Sequence, residues 1–278
     1  VTTAIAIVNW NSGSYLRTSI ESALATSDVA EIVVVDNASS DGSMATLPSS
    51  DKIRRIQNSE NRGFAAGVNQ AFQATRAEFV LALNPDARAT PGAIAELERL
   101  MRGLPKAGAI GGDVNERYPP RNLPTWASIA AENLGLPRRA RRPGNGEAQL
   151  VGQPAAAAML IRREAFDAVG GFDEGFLPAW YEDVDFCFRL RAAGWESYFA
   201  PRARFIHDGG YSAKALGPAA FATAYYRNQL RYAEKHLGRG ATSAIRASIA
   251  AGMAVRILLR PRLAGAYWKA LSGALGGW

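Results

Sequence analysis

The 278-residue chain is 48% hydrophobic and 21% charged, an ordinary globular composition that excludes wholesale disorder and collagen-like repeats. It is long for one average domain and short for two, which fits one large α/β domain with an appendage, and it can bury a substantial core without disulfides or a structural metal. The net charge of +7 is concentrated at one end: residues 235–278 hold seven Lys/Arg and no Asp or Glu, leaving 25 basic and 25 acidic residues before them.

One cysteine, Cys187, rules out an intramolecular disulfide and points to a reducing, cytoplasmic compartment. The opening VTTAIAIVNW lacks a basic n-region and reads as a first strand rather than a signal peptide. No uncharged apolar run reaches the roughly 18 residues needed to span a bilayer. Secretion and membrane spanning are not expected.

In chain order, residues 4–9 (AIAIVN) read as a strand, and 14–26 as a helix with Leu16, Ile20, Ala23 and Leu24 on one face. Residues 31–35 (EIVVV) form an apolar strand ending at Asp36, and 53–57 a short third strand. A helix is expected over 63–75, a buried strand over 79–83 (FVLAL), and a helix from Pro91. Residues 115–150, rich in Pro, Arg and Gly, read as a basic surface excursion. Beyond them come a strand over 155–161, a helix near 163–169 and a helix over 181–193. Two short strands, 196–199 and 203–207, precede a helical region from about Pro218 to the end. Strands alternating with helices imply a mostly parallel sheet with right-handed crossovers. Ligands then sit outside the carboxyl ends of strands, which singles out 9–11, 36–41 and 84–86.

Each polar cluster has a plain reading beside a chemical one. Asp36-Asn37-Ala38-Ser39-Ser40-Asp41-Gly42 has the composition of a tight loop, and a carboxylate there also suits recognition of a base or ribose. Asn61-Arg62-Gly63-Phe64-Ala65-Ala66-Gly67 opens a helix, where small residues allow close backbone approach to phosphate; it is neither a P-loop nor a G-x-G-x-x-G fingerprint. Asn84-Pro85-Asp86 is an Asx turn or a carboxylate placed to hold a divalent ion on a diphosphate. Glu182, Asp183 and Asp185 either complement a helix dipole or supply a general base. The flanking Trp180-Tyr181 is an acceptor platform or core packing. His207, one of two histidines, becomes a metal ligand only if the fold brings it beside Asp86.

Taken together and in order, IVNWN, VVVDNASSDGS, NSENRGFAAGVNQA, LALNPDA, AMLIRREAFDAVGGFDEGF, WYEDVDFCFRLRAAGW and HDGGYS resemble family 2 glycosyltransferases of the GT-A fold, and most closely the bacterial rhamnosyltransferase-like branch. The resemblance covers about residues 1–212. It implies a GT-A-like (Rossmann-like) α/β domain over 1–215, with a mostly parallel mixed sheet flanked by helices and a helical basic C-terminal region over 216–278. It assigns Asn9, Asp36 and Asp41 to the nucleoside, Asn61, Gly63, Gly67, Asn69 and Asn84 to the donor site, and Asp86 and His207 to Mg²⁺ or Mn²⁺. Asp183 falls on the catalytic base, with Trp180, Tyr181 and Glu182 on the acceptor side. The activity implied is inverting transfer of a sugar, rhamnose favoured, from a dTDP- or UDP-sugar to a lipid-linked or cell-surface saccharide.

The run 239–278 interleaves Arg246, Arg256, Arg260, Arg262 and Lys269 with Ile, Leu, Tyr and Trp, the composition of an interfacial amphipathic helix or of ordinary packing helices with solvated arginines. With the second basic cluster, Arg138, Arg139, Arg141 and Arg142, it fits a polyprenyl-diphosphate-linked acceptor and an anionic membrane surface, placing the protein peripherally at the inner face of the plasma membrane. No nucleic-acid recognition motif is present. The alternatives are a nucleotidyltransferase on a related scaffold, disfavoured because NWNSGSY after the first strand lacks Lys or Arg, and a non-catalytic sugar-nucleotide-binding protein.

Overall fold

A computed structural model describes residues 3–26, 29–114, 119–136, 146–209 and 211–278. The arginine cluster at 138–142 lies outside them. The chain divides into two compact units, one comprising Val1–Leu123, Ala140–Glu174 and Glu182–Tyr211, the other Pro124–Arg139, Gly175–Tyr181 and Ser212–Trp278.

Among the described residues the first unit is built on nine strands: β1 (Thr3–Asn9), β2 (Val29–Asp36), β3 (Ile53–Gln57), β4 (Phe79–Leu83), β5 (Ala87–Ala89), β6 (Ala107–Asp113), β7 (Gln149–Val151), β8 (Ala158–Arg162) and β9 (Glu196–His207). They run in the order β3-β2-β1-β4-β8-β6-β9-β5, with β7 also on β9. The β3-β2-β1-β4 half is parallel, β8 is antiparallel to both neighbours, and β6 is parallel to β9.

The central strands are apolar throughout because both faces are covered. Ile5, Ile7, Ile32, Val34 and Leu81 pack on one face with α1 (Tyr15–Leu24) and α3 (Ala93–Gly103). Ala4, Ala6, Val8, Val33, Val35 and Val80 pack on the other with α2 (Gly63–Ala74), α5 (Arg163–Ala168) and α6 (Glu182–Ala192). Helix α2 lies so close to β1 that a Cβ on Gly67 would stand 2.7 Å from both Val8 methyls. At the amino end of β4, Arg162 donates to the carbonyls of Met101 and Leu104 at the end of α3, and Arg163 to those of Phe72 and Thr75 at the end of α2. These two cations meet the unsatisfied last carbonyls of both helices.

Several elements differ from expectation. β5, β6 and β7 are additional strands. β6 (AGAIGGD) has too little β-branched character to read as one, yet it is buried between β8 and β9. The two strands expected around Pro201 are one continuous β9: it pairs with β6 to Ala200, shifts register, meets β6 again at Arg204, and pairs with β5 from Phe205. Pro201, which has no N–H to donate, sits at that irregularity. The 115–150 stretch is not all excursion. It contains β7 and α4 (Trp126–Asn133), the latter held by a capping box between Thr125 and Ser128.

The second unit joins α4 to α7 (Tyr211–His236), α8 (Gly238–Leu259) and α9 (Ala264–Gly276). Gly217, with φ 76°, breaks α7 just before Pro218. Helix α8 buries the stripe Thr242, Ile245, Ile249, Gly252 and Met253. It is also long and apolar enough to cross a membrane by length and composition, a property its three arginines mask in a search for uncharged runs. Buried Asn133 donates to Gln229 and Ser248 (2.8 and 3.0 Å), tying α4 to α7 and α8.

Replacing Gly67 by Ala forces α2 off β1 and is expected to destabilise the protein by about 1–3 kcal/mol, seen as a Tm several degrees lower in thermal denaturation.

Candidate active site

In the parallel half of the sheet the chain steps from β1 out to β2 and β3, then returns to the other side of β1 for β4. The strand order therefore reverses between β1 and β4, and the crevice at their carboxyl ends is the place where such sheets bind ligands. Asn9 ends β1, opposite Asp36 in register. Asn84 and Asp86 follow β4.

Asp36 is fully buried. Its Oδ1 accepts from Asn9 Nδ2 and Ser39 Oγ, both at 2.6 Å, and its Oδ2 accepts from the Ser39 N–H at 3.0 Å and from Gln57. The Asn9 amide also reaches Ser39 and Ser43 at 3.0 and 2.9 Å. Ser39 Oγ takes the Asn11 N–H at 2.9 Å, and Asn11 Oδ1 takes the Ser40 N–H at 2.8 Å. Asn11 and Ala38 hold positive φ (51° and 56°) inside this mesh. With both oxygens engaged, Asp36 shapes the loop rather than reaching out of it. Asp41 clamps the next turn, accepting from Gly13 and Ser43 N–H at 2.6 and 3.0 Å. Partial burial pushes its carboxyl up, but the Ser43 side chain and the Ser43 and Gly13 N–H groups together outweigh that and hold it below the ordinary value.

Asn61 Oδ1 accepts from the Gly63 N–H at 2.9 Å, shaping the entry to α2, and Gly63 turns there with φ 84°. Asn69 exchanges hydrogen bonds with the Phe172 backbone and donates to Glu174, fastening α2 to the 170–174 loop. Gly67, facing Val8, is a packing contact.

The pairing of β5 with β9 sets Ala87 opposite His207 and brings Asp208 N–H to Asp86 O at 3.1 Å. His207 Nε2 consequently lies 3.2 Å from Asp86 Oδ1, with both side chains largely buried. A carboxylate oxygen and an imidazole nitrogen thus meet across residues 121 apart in the chain. No group of three or more His, Cys, Asp or Glu gathers among the described residues. Two protein donors, one oxygen and one nitrogen, match a divalent ion of the kind that takes its remaining ligands from substrate oxygens and water.

At the head of α6, Asp183 Oδ1 accepts from the Val184 N–H at 2.8 Å and Oδ2 from Gln153 Nε2 at 2.6 Å. Gln153 is itself fixed by a two-way backbone bridge to Arg121. Burial pushes the Asp183 carboxyl up, opposed by those hydrogen bonds and by the Arg121 charge. Glu182 is pushed well above its ordinary value, first by burial and then by the Asp183 charge; its Oε2 is buried with no hydrogen-bond partner among the described residues. Of this coupled pair, Asp183 is the one whose charge is supported. Asp185, fully buried, pairs with Arg189 at 2.8 Å and belongs to the packing of α6.

Trp180 and Tyr181 belong to the second unit and carry positive φ (76° and 72°), a strained backbone for aromatic residues. Asn228 restrains the segment by donating to the carbonyls of Leu177, Ala179 and Trp180. Tyr181 is buried there, its hydroxyl accepting from Gln229 at 3.0 Å. Trp180 sets its ring edge to face with Phe221. Gln153 and Arg121 carried no signal in the sequence. Ser39 and Ser43 lay inside a quoted motif without a role.

The sequence profile described as Glycosyl transferase family 2 matches residues 4–170. The chain belongs to this family. Over 262 residues this glycosyltransferase is 28% identical to N-acetylglucosaminyl-diphospho-decaprenol L-rhamnosyltransferase of Mycobacterium tuberculosis, covering 84% of this chain and 85% of that one. It is 34% identical over 67 residues to rhamnosyltransferase WbbL of Escherichia coli, covering 24% of this chain and 25% of that one. It is a rhamnosyltransferase-like member of the family. Its fold resembles the mannosyltransferase PcManGT of Pyrobaculum calidifontis, solved with GDP-Man and Mn²⁺, at 16% identity and TM-score 0.59, covering 99% of this chain and 84% of that one. It also resembles GalNAc-T7, solved with UDP, GalNAc and Mn²⁺, at 16% identity and TM-score 0.66 over 84% of this chain; the family 2 enzyme spans about half (48%) of that protein. The architecture is that of GT-A glycosyltransferases.

Substituting Asn9 by Ala strips a charge-assisted donor from a fully buried carboxylate. A loss of about 2 kcal/mol is expected, read as a lower midpoint in urea unfolding with an unchanged m-value.

Proposed function

We propose that the protein transfers a sugar, rhamnose first among candidates, from a dTDP- or UDP-sugar to a hydroxyl of a polyprenyl-diphosphate-linked or other cell-surface saccharide, with inversion at the anomeric carbon. The observation that carries this reading is the Asp183 carboxylate, aimed by Gln153 and Val184 and raised by burial, on the same unit as the Asp86–His207 pair. The name of the mycobacterial relative, which joins a rhamnosyl transfer to a diphospho-decaprenol acceptor, supports both the sugar and the acceptor class. A polyprenyl-linked acceptor would place the reaction at a membrane surface.

Each group then has one task. Asp183 takes the proton of the attacking hydroxyl as the anomeric carbon becomes cation-like; its raised pKa makes it a better base near neutral pH than an exposed carboxylate. Glu182, pushed well above its ordinary value by burial and then by the Asp183 charge, holds its proton more readily than an exposed carboxyl. A single displacement needs no covalent enzyme intermediate. Asp86 and His207 would hold a Mg²⁺ or Mn²⁺ ion, which as a Lewis acid neutralises the departing diphosphate. Asn9 and Asp36 act on the nucleoside through the loop they hold. Asp41, Asn61, Gly63 and Asn84 line the donor side of the β1/β4 crevice, and Gly67 and Asn69 keep α2 in place behind it. Trp180, Tyr181 and Glu182 are the acceptor-side candidates.

Asp183→Asn is expected to lower kcat by about 100- to 10,000-fold with donor affinity unchanged; full turnover in this variant would overturn the assignment. Asp86→Asn and His207→Ala should each abolish the Mn²⁺-dependent rise in melting temperature given by UDP or dTDP. A nucleotidyltransferase would instead require a nucleoside triphosphate and a sugar phosphate, and a binding protein would show the melt without donor turnover.

The pH dependence follows from the direction of the Asp183 shift. Turnover should be lost as pH falls through a value above the ordinary Asp range of about 3.9. Gln153→Ala removes a donor to the charged form, so its acid limb in kcat/KM should move to still higher pH, a readout that a merely structural role for Gln153 would not produce.

A further inference from the structure

The helical unit ends in a corner where α8 gives way to α9 through residues 260–263. The buried stripe of α8 stops at Met253. Beyond it Val255, Leu258 and Leu259 share a second face by their spacing, and the two leucines are 81% and 75% exposed. Exposed Arg260 and Arg262 follow directly in the chain, and exposed Trp268 and Lys269 lie just over one turn into α9. Consecutive exposed apolar tips, followed at once in the chain by exposed guanidinium groups, make a stretch that water alone satisfies poorly.

We propose that this corner, Leu258-Leu259-Arg260 with Arg262, Trp268 and Lys269, is a docking surface for an anionic phospholipid bilayer. Charge complementarity selects that occupant. Residues 235–278 carry seven cations and no anion, so a second copy would bring positive charge against positive charge in a self-complementary contact. Nucleic acid would meet the arginines but leave both leucines in water. A bilayer surface meets all three features: phosphate headgroups for Arg260, Arg262 and Lys269, the acyl boundary for Leu258 and Leu259, and the interface for Trp268. The mode is attachment and not spanning, although α8 is long enough to cross. Its apolar stripe is already buried within its own unit. Arg246, near mid-helix, donates to Ala274 O at 2.6 Å, and Arg256 to Asn133 O at 2.6 Å. This inference does not depend on which sugar or acceptor the enzyme uses.

The test is co-sedimentation of the full chain with vesicles of phosphatidylcholine alone and of phosphatidylcholine mixed with phosphatidylglycerol, at low and high salt. Salt-sensitive binding to the anionic vesicles is expected, with weak binding to the zwitterionic ones. Arg260→Ala/Arg262→Ala should lower the partition coefficient roughly 30-fold, at about fivefold per surface charge. Leu258→Ser/Leu259→Ser should lower it by about tenfold or more. Melting temperatures matching the wild type show that the variants remain folded, and the donor-nucleotide shift serves as a separate check on the catalytic reading. Equal recovery with both vesicle types would overturn the proposal. So would binding indifferent to both double variants, or a concentration-dependent dimer abolished by the leucine changes in a chain that ignores vesicles.

Discussion

A carboxylate with no access to water must be surrounded by donors that cannot leave, and much of the candidate site is organised by that requirement at Asp36. Its donors come from three places, the end of β1, the loop after β2 and the end of β3, and the Ser39 hydroxyl in turn accepts from the turn after β1. Satisfying one buried charge therefore fixes the relative heights of three parallel strands and the course of two loops. The positive φ values at Asn11 and Ala38 are sustained by the same hydrogen bonds. The crevice at the reversal of strand order owes its rim to this mesh, and Asp41 extends the rim to the start of α1.

The acids at the head of α6 show the opposite use of burial. Asp36 is met by four donors. Asp183 has two, and Glu182 Oε2 has none among the described residues. Withholding donors leaves desolvation uncompensated, and both carboxyls rise. Such a pair gives up stability as pH rises, because the folded state prefers the protonated form and the unfolded chain does not. Carboxylates of one type thus sit in two settings, and the number of fixed donors decides whether the cost of burial is offset. Cys187 marks the dry side of α6: burial pushes its thiol up to about 12, away from any thiolate chemistry.

What the sequence made legible follows from this physics. β1, β2 and β4 announce themselves because strands covered on both faces must be apolar without interruption, and the polar residues at their ends stand out against that background. Asp86 and His207 were readable as a pair only through the ordered motifs, since their meeting depends on β5, a three-residue strand with no signal of its own. Gln153 was unreadable: its contact with Asp183 rests on an isolated bridge to Arg121 inside a stretch that looks like loop. Asn228, which restrains the Leu177–Trp180 carbonyls, sits within a helix whose sequence offers no reason to single out one buried amide.

Charge is partitioned in the same spirit. Residues 1–234, which carry the sheet and the acid clusters, hold equal numbers of basic and acidic residues. The excess cation lies in residues 235–278, where no acid offsets it. Within that segment the arginines are not equivalent. Arg246 and Arg256 spend their guanidinium groups on backbone carbonyls, helping to hold the helices together. Arg260 and Arg262, past the end of α8, stand exposed beside exposed leucines. Helix packing accounts for the first pair and not for the second, and that difference, more than the net charge, makes the corner between α8 and α9 a surface with a purpose of its own.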